Sequence, residues 1–251
     1  MAKIVAFVNQ KGGVGKTTSA INLTAALTAR GKRVLLCDFD PQANATSGLG
    51  VDKNAGKYSS YDIIINETPA ADAIIKTEFG DLIPSTPELS GAGIELVDAE
   101  DREHSLKRAL DPLRENYDYI FIDCPPSLEL LTLNAICAAE AVLIPVQCEY
   151  FALEGLSDLM MTLRAVKKRL NPEIGIFGVL LTMYDGRTHF SAQVAEEVRR
   201  HFPGKVYASV VPRNVRLAEA PSHGLPVTVY DRFSRGAAAY EALADEIVAK
   251  E

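Results

Sequence analysis

The sequence predicts an α/β fold, a doubly wound and mainly parallel sheet with helices on both faces. Apolar runs rich in β-branched residues recur along the chain, and most are continuous rather than alternating, as strands covered on both sides require. Helical patterns separate these runs, and such repetition is typical of right-handed crossovers in a parallel sheet. The runs predict strands over residues 4–8, 34–37, 119–122, 141–146, 176–181 and 206–211.

Apolar residues at helical spacing fill most of the segments between the strands. The predicted helices span residues 17–30, 58–65, 89–97, 153–170 and 191–201. Residues 51–105 are less regular and predict one additional short strand over 81–84. No repeat, low-complexity tract or clear linker divides the sequence, which therefore predicts one domain over residues 1–251.

The composition favours a cytoplasmic protein with one substantial core. Of the 251 residues, 47% are apolar. No uncharged stretch reaches the roughly 18 residues that span a membrane, and residues 1–10 lead into a strand rather than forming a signal peptide. The four cysteines lack paired Cys-x-x-Cys spacing and lie in apolar surroundings, where cysteine is usually a small buried hydrophobe.

The charge is unevenly distributed along the chain. The net charge of -7 argues against a protein that is basic over its whole surface. Residues 185–235, however, contain eight Lys or Arg and five acidic residues, a charge of +3, which leaves -10 for the remainder. A polyanionic partner should therefore bind this late segment, although a solvated helical face explains the same charges.

The stretch from Lys11 to Thr18 predicts a phosphate-binding loop. It contains three glycines between an apolar strand and a helix, so backbone N–H groups and the helix N-terminus can face an anion. Lys16 can reach the β- and γ-phosphates of a nucleotide, and the Thr17 hydroxyl can bind Mg²⁺, as in a P-loop. The strict P-loop pattern has glycine where this chain has Gln10, and Lys11 adds a second lysine at the entrance.

Two aspartates follow predicted strands and complete the expected site. Asp40 can orient or deprotonate an attacking water and contact Mg²⁺ through water, whereas the alternative is a turn cap. Asp123 closes an apolar strand, and its charge needs a partner such as Mg²⁺. Because ligands collect at the carboxyl ends of parallel strands, Gly12, Asp38, Asp123 and Pro212 are expected at one sheet edge.

The loop Lys-Gly-Gly-x-Gly-Lys-Thr-Thr resembles the deviant Walker A motif of the ParA/MinD ATPases. Residues 38–42 resemble the switch segment of that family, and residues 120–126 resemble its Walker B strand. Residues 145–150, 212–216 and 219–224 are similar to the chromosomal ParA (Soj) branch. The resemblance runs from Lys3 almost to the end of the chain.

This resemblance implies an ATPase that uses ATP and Mg²⁺ and forms a homodimer when ATP is bound. Lys11, Lys16 and Asp40 are the implied catalytic residues, with Lys11 reaching the triphosphate of the partner subunit, and Thr17, Asp40 and Asp123 are the implied metal-site residues. An asparagine amide suits an adenine edge, although Pro and Asn are also common in turns. The implied nucleotide-binding residues are Lys11, Gly12, Gly13, Val14, Gly15, Lys16, Thr17, Thr18, Glu149, Pro212 and Asn214.

The resemblance also implies non-specific binding of double-stranded DNA and association with the nucleoid. Arg187 and Arg216 correspond to arginines that hold DNA phosphates in the family, and the weaker candidates are Arg199, Arg213 and Arg235. The implied partner is a ParB/Spo0J-type protein whose basic N-terminal segment engages the dimer and stimulates hydrolysis. The alternatives are a relative that positions another cargo, a MinD-like membrane-cycling ATPase, for which residues 241–251 are too acidic, and an electron carrier similar to the nitrogenase iron protein.

Overall fold

Six parallel strands form one sheet in the computed structural model, which describes residues 1–53, 56–149 and 152–250. The strands are β1 (Lys3–Phe7), β2 (Val34–Asp38), β3 (Asp81–Ile83), β4 (Tyr119–Asp123), β5 (Ala141–Gln147) and β6 (Gly175–Thr182). Their order is β3-β2-β4-β1-β5-β6, so β1 lies between β4 and β5. The predicted fold class is therefore confirmed. Tyr150, part of the Soj-like motif over 145–150, lies outside the described residues.

Helices connect the strands and cover the sheet. The α-helices are α1 (Lys16–Thr28), α2 (Asn44–Gly48), α3 (Ser60–Ile65), α4 (Ala92–Glu95), α5 (Ser105–Leu110), α6 (Leu130–Ala138), α7 (Ala152–Arg169), α8 (His189–His201), α9 (Val215–Glu219), α10 (Val227–Tyr230) and α11 (Arg235–Val248). Short 3₁₀ helices span Ala70–Ala73, Pro87–Gly91, Arg102–His104, Asp111–Leu113 and Ala220–His223.

Both faces of the sheet are buried, which explains the continuous apolar runs. Along β4, Ile120 and Ile122 belong to the core beneath α5–α8, whereas Tyr119 and Phe121 belong to the core beneath α1 and α11. All four residues are at most 3% exposed. Apolar residues are therefore required at successive positions of a central strand.

The predicted helix over residues 89–97 is shorter than expected. A 3₁₀ turn, Pro87–Gly91, leads into α4, which ends at Glu95. Gly91 and Gly93 lie within this stretch, and glycine lowers helix stability by roughly 1 kcal/mol relative to alanine. Gly91 and Gly93 therefore weaken the first turn, and the α-helix begins only at Ala92.

The predicted strand over residues 206–211 is wrong. This segment runs beside β6, but its backbone contacts are isolated bridges rather than a continuous ladder. Tyr207 and Val211 each donate an N–H to β6, whereas the N–H groups of Ala208 and Ser209 donate to the carboxylate of Glu246 on α11, both at 3.0 Å. A side chain from a distant helix thus replaces the strand partner.

Two glycines bring separate loops into direct backbone contact. Gly50 follows α2, and Gly224 follows the 3₁₀ turn Ala220–His223. Both have positive φ, 75° and 64°, and a Cβ added to Gly224 would lie 2.5 Å from the Cα of Gly50. Only glycine fits this contact without displacing a backbone.

Gly178→Ala is expected to destabilise the protein because the new Cβ would lie 2.1 Å from the ring of Tyr207. Tyr207 is only 2% exposed and its backbone is bonded to Val179, so it has little room to move. We expect a loss of roughly 1–3 kcal/mol, seen as a fall in Tm of about 2–4 °C per kcal/mol. Gly175→Ala in the same strand is the control, since its Cβ would meet only an ordinary contact at 3.8 Å. Equal Tm values for the two variants would contradict this packing.

Candidate nucleotide-binding site

The loop between β1 and α1 is shaped to surround an anion. Gly13 and Gly15 have positive φ, 72° and 90°, and the left-handed Gly15 caps the N-terminus of α1. Within the described part of the chain, the N–H groups of residues 12–15 donate to no acceptor. These N–H groups and the positive end of the helix dipole are available to a phosphate.

Lys16 is held inside this loop. Its side chain is largely buried, and Nζ donates to the carbonyl oxygens of Asn9 at 3.0 Å and Lys11 at 3.3 Å. Burial lowers the pKa of Lys16 from its ordinary value, and the carboxylate of Asp123 opposes this change. The ammonium group is therefore fixed beside the anion site before any ligand binds.

Asn9 supports the loop from below and was not predicted from the sequence. Its Nδ2 donates to the carbonyl oxygen of Pro145 at 2.7 Å, and its Oδ1 accepts the N–H of Lys11 at 3.0 Å. The side chain thus joins the start of the loop to β5. The sequence signal that could have indicated Asn9 is its position as a polar residue directly after an apolar strand.

Asp38 and Asp123 lie side by side at the ends of β2 and β4. They are register partners on neighbouring strands, and both are 0% exposed. Asp38 accepts the N–H and hydroxyl of Thr46, each at 2.7 Å, and the N–H of Asp40 at 3.3 Å. Thr46 was missed because nothing in its spacing from Asp38 indicates the contact.

Asp123, in contrast, has no hydrogen-bond partner for either carboxylate oxygen among the described residues. Burial and the charge of Asp38 raise its pKa well above the ordinary value, while the nearby Thr17 hydroxyl opposes the change. Burial likewise raises the pKa of Asp38 to about 6. Two adjacent buried carboxylates with so little compensation fit a divalent cation, which supplies the missing charge.

The metal-site residues predicted from the sequence are close together, since Thr17 and Asp40 both lie near Asp123, and the nucleotide-binding residue Lys16 lies near it as well. No group of three or more His, Cys, Asp or Glu side chains in the described chain is arranged to hold a metal by itself. This arrangement fits Mg²⁺, which commonly takes one or two protein ligands and completes its shell with substrate phosphates and water.

Asp40 lies in the turn that follows β2 and is only 6% exposed. Its Oδ1 accepts the N–H of Gln42 at 2.9 Å, and its own N–H donates to Asp38. The turn-cap alternative therefore applies to Oδ1, one of the two carboxylate oxygens of Asp40. This cap fixes the carboxylate at the edge of the site.

A cavity of about 240 Å³ adjoins the phosphate loop. Gly15 and Thr18 line one side, and Pro212 and Asn214 line the other. The Oδ1 of Asn214 caps α9 by accepting the N–H of Arg216 at 2.9 Å, so this oxygen already has a hydrogen-bond partner. Both predicted base-binding residues thus border one cavity beside the loop.

Lys11 extends away from its own phosphate loop. Its Nζ lies 3.5 Å from the Oε2 of Glu149, and Arg213 lies 3.5 Å from the other oxygen of the same carboxylate. The Lys11 side chain is 38% exposed, in contrast with Lys16. The two lysines of the loop therefore occupy different environments, one inside the anion site and one at its outer rim.

The two predicted DNA-binding arginines lie outside this site and already have acidic partners. Arg187 pairs with Asp185 at 2.7 Å and is 89% exposed. Arg216, on α9, pairs with Glu219 at 2.8 Å and with Asp231 at 3.2 Å. The sequence did not indicate these ion pairs, although Arg216 lies only two residues from Asn214 of the base cavity.

Asp123→Asn is expected to stabilise the nucleotide-free protein at neutral pH. The raised pKa means that the Asp123 carboxyl holds its proton more tightly in the folded chain than in the unfolded chain. The charged carboxylate therefore costs the folded protein stability once the pH exceeds the ordinary pKa of the group. The gain in Tm over wild type should therefore appear as the pH rises above 3.8, the ordinary pKa of the group, and should grow from there towards neutral pH. We expect a gain of about 1–3 kcal/mol and loss of the Mg²⁺-dependent stabilisation by ATP.

Thermal unfolding across this pH range, with ATP in the presence and absence of Mg²⁺, measures both effects. Asp158→Asn, at an exposed position of α7, is the control and should change neither. A variant that is destabilised at neutral pH, or still stabilised by Mg²⁺ with ATP, would contradict the assignment of Asp123.

Comparison with known proteins agrees with this geometry. The family model described as an AAA domain matches residues 2–176. The chain is 57% identical to the sporulation initiation inhibitor protein Soj of Bacillus subtilis (strain 168), covering 99% of each protein. It is 50% identical to the chromosome-partitioning ATPase Soj of Treponema pallidum (strain Nichols), covering 100% of this chain and 99% of the relative.

A solved structure shows what binds in such a fold. Cobyrinic acid a,c-diamide synthase from Mycobacterium smegmatis, with bound ADP and magnesium, has a TM-score of 0.85 and 37% identity, covering 98% of this chain and 93% of that one. The nucleotide and magnesium of this neighbour confirm the expectation of ATP and Mg²⁺ as cofactors, and the Treponema pallidum relative, an ATPase, confirms the expected class of enzyme. The chain belongs to the ParA/Soj family of chromosome-partitioning ATPases.

Proposed function

We propose that the protein is a nucleotide-controlled DNA-partitioning ATPase that works as one domain over residues 1–251. ATP and Mg²⁺ drive the formation of a sandwich homodimer, and the dimer binds double-stranded DNA without sequence preference on the nucleoid. A ParB/Spo0J-type partner stimulates hydrolysis, which releases the DNA and thereby moves a chromosome or plasmid. DNA affinity is thus set by the nucleotide state.

The position of Lys11 is the observation that carries this proposal. Lys16 already occupies the inner position in the loop, whereas the Lys11 side chain reaches outward to Glu149. An exposed ion pair of this kind is worth only about 0–1 kcal/mol, so Lys11 can exchange Glu149 for a phosphate of a second subunit. There its charge would offset the charge that develops during phosphoryl transfer.

The placement of the other side chains supports the remaining roles that we propose. Lys16 and the loop N–H groups hold the β- and γ-phosphates, and Asp40, fixed by its turn, orients the attacking water. Thr17 and Asp123 are the residues that would hold Mg²⁺, which neutralises charge on the phosphates. Pro212 and Asn214 border the base cavity, and Glu149 contacts nucleotide across the dimer.

The late basic segment supports DNA binding. Residues 185–235 carry a charge of +3 against -10 for the remainder, and Arg187 and Arg216 are exposed there. Their acidic partners are partly exposed, between 26% and 39%, so each pair is in contact with water and weak, and a DNA phosphate can replace the carboxylate. Arg216 lies on α9 two residues after Asn214, which lines the proposed base cavity, and this proximity supports a link between nucleotide binding and DNA binding.

The membrane alternative has less support. Helix α11 buries Tyr240, Leu243 and Ile247 in the core that it shares with α1, so its apolar side is already covered. In the described chain, no helix has the length and apolarity to cross a bilayer. A relative that positions another cargo on DNA remains the second candidate, because it would use the same site and the same basic segment.

Lys11→Ala is expected to weaken ATP-dependent dimerisation while leaving ATP binding intact. Loss of one partner of a buried charge pair at an interface costs roughly 2–5 kcal/mol, which raises the dimer Kd at least about tenfold. Light scattering of protein with Mg²⁺ and ATP, in an Asp40→Ala background that slows hydrolysis, measures this effect. Lys16→Ala is the matched control, since it should lose nucleotide binding as well. Normal dimerisation of Lys11→Ala would refute the role given to Lys11.

Arg216→Ala is expected to weaken DNA binding about tenfold without preventing dimerisation, and Arg187→Ala should act similarly. Binding to unrelated duplexes is measured across a salt series with no nucleotide, ADP, or ATP and Mg²⁺, again with Asp40→Ala. Only the ATP-bound protein with an unaltered basic segment should bind DNA tightly. Each phosphate contact that is lost should reduce the slope of log K against log salt concentration by about 0.9. Arg169→Ala, at the exposed C-terminal end of α7, is the control. DNA binding that is independent of nucleotide, or insensitive to Arg216, would refute the proposal.

A further inference from the structure

We propose that residues 88–101, together with the adjoining cavity between Pro41 and Pro125, form the surface that receives a basic, partly apolar segment of the partner that stimulates hydrolysis. We call this surface the acidic face. The inference rests on the proposed function and adds to it the docking site on this chain.

The acidic face presents apolar side chains that the core does not use. Leu89, Ala92 and Leu96 are buried and anchor the segment to the core. Ile94 and Val97, on the other side, are 78% and 55% exposed. A segment that is fixed on one side and apolar on its outer side can bind a partner without a large loss of conformational entropy.

A cavity of about 480 Å³ opens beside Ile94. Leu130 and Leu131 of α6 line it together with Pro41 and Pro125, and Glu129 lies at its rim. This volume is in the range of sites that hold small molecules or a few side chains. It can therefore accept an apolar anchor from a bound segment, with Ile94 as part of the wall.

The charge of the acidic face determines what can bind. Residues 88–101 contain five acidic residues and neither Lys nor Arg. Asp101 pairs with Arg108, but Glu88, Asp98 and Glu100 have no cationic partner within the described chain. An apolar centre surrounded by unpaired carboxylates is complementary to a segment in which Lys or Arg flank an apolar side chain.

A second copy of this chain fits the face less well. In the proposed function, the basic segment of a neighbouring copy is occupied by DNA, to which Arg187 and Arg216 bind. Contact between two different faces of identical chains is also heterologous, and it would produce open polymers unless the rotation closes a ring. A basic segment of a different protein is free of both restrictions.

The location of the cavity connects binding to hydrolysis. Pro41 directly follows Asp40, and Pro125 lies two residues after Asp123. The N–H of Phe39 donates to the carbonyl oxygen of Asp123 at 2.9 Å, so the two turns are already joined. A side chain seated between Pro41 and Pro125 would restrict both turns and hold the carboxylates of Asp40 and Asp123 in one arrangement, which favours reaction.

The test uses the full chain with the purified ParB-type protein of the same genome. Stimulated ATP hydrolysis is measured as a function of partner concentration for wild type, Ile94→Asn and the double variant Asp98→Lys, Glu100→Lys. Both variants should raise the concentration for half-maximal stimulation about tenfold, with basal hydrolysis and ATP-dependent DNA binding unchanged. Met161→Asn and Glu173→Lys, at exposed positions distant in sequence, are the matched controls and should behave as wild type.

A photoreactive residue at position 94 provides a direct readout and should crosslink to a Lys- or Arg-rich segment of the partner. Normal stimulation of both variants would overturn the inference while leaving the proposed function intact. Loss of ATP-dependent dimerisation in the variants without partner would overturn it by identifying the face as a contact between copies. Failure of the partner to stimulate wild type would instead remove the proposed function, and the inference with it.

Discussion

The site depends on a constraint imposed by the sheet: parallel strands covered on both faces end at the same edge, where polar groups are brought together without being exposed. Asp38 and Asp123 are register partners at that edge and are fully buried. The phosphate loop leaves the same edge from β1, which pairs with β4. Charged groups are therefore concentrated where water is scarce. A bound nucleotide and its cation can supply the opposite charges that these buried groups lack within the protein.

Most of the sheet could be predicted from the sequence because burial on both faces requires continuous apolar runs. This rule failed for residues 206–211, which are apolar enough to form a strand. There the N–H groups of Ala208 and Ser209 bond to Glu246, which lies in a helix near the end of the chain. Local sequence contains no information about that carboxylate, so tertiary structure decides between a strand and an extended loop.

The candidate site likewise contains residues that the sequence could predict and residues that it could not. Lys16, Thr17 and Asp123 were predicted because their positions relative to a strand and a glycine loop carry the chemistry. Asn9 and Thr46 support the loop and Asp38 through contacts that span the fold, so the sequence could not indicate them. For the same reason, neither the pairing of Lys11 with Glu149 nor that of Arg216 with Asp231 could be anticipated.

The contact between Gly50 and Gly224 has a mechanical consequence. Gly50 ends the segment that begins with Asp40 and passes through Thr46, the residue that donates to Asp38. Gly224 ends the segment that carries Arg216. Because the two backbones touch without intervening side chains, no change of rotamer can absorb a displacement of one loop. The contact therefore ties the carboxylate turn to the arginine helix, so that a displacement of either loop would press on the backbone of the other.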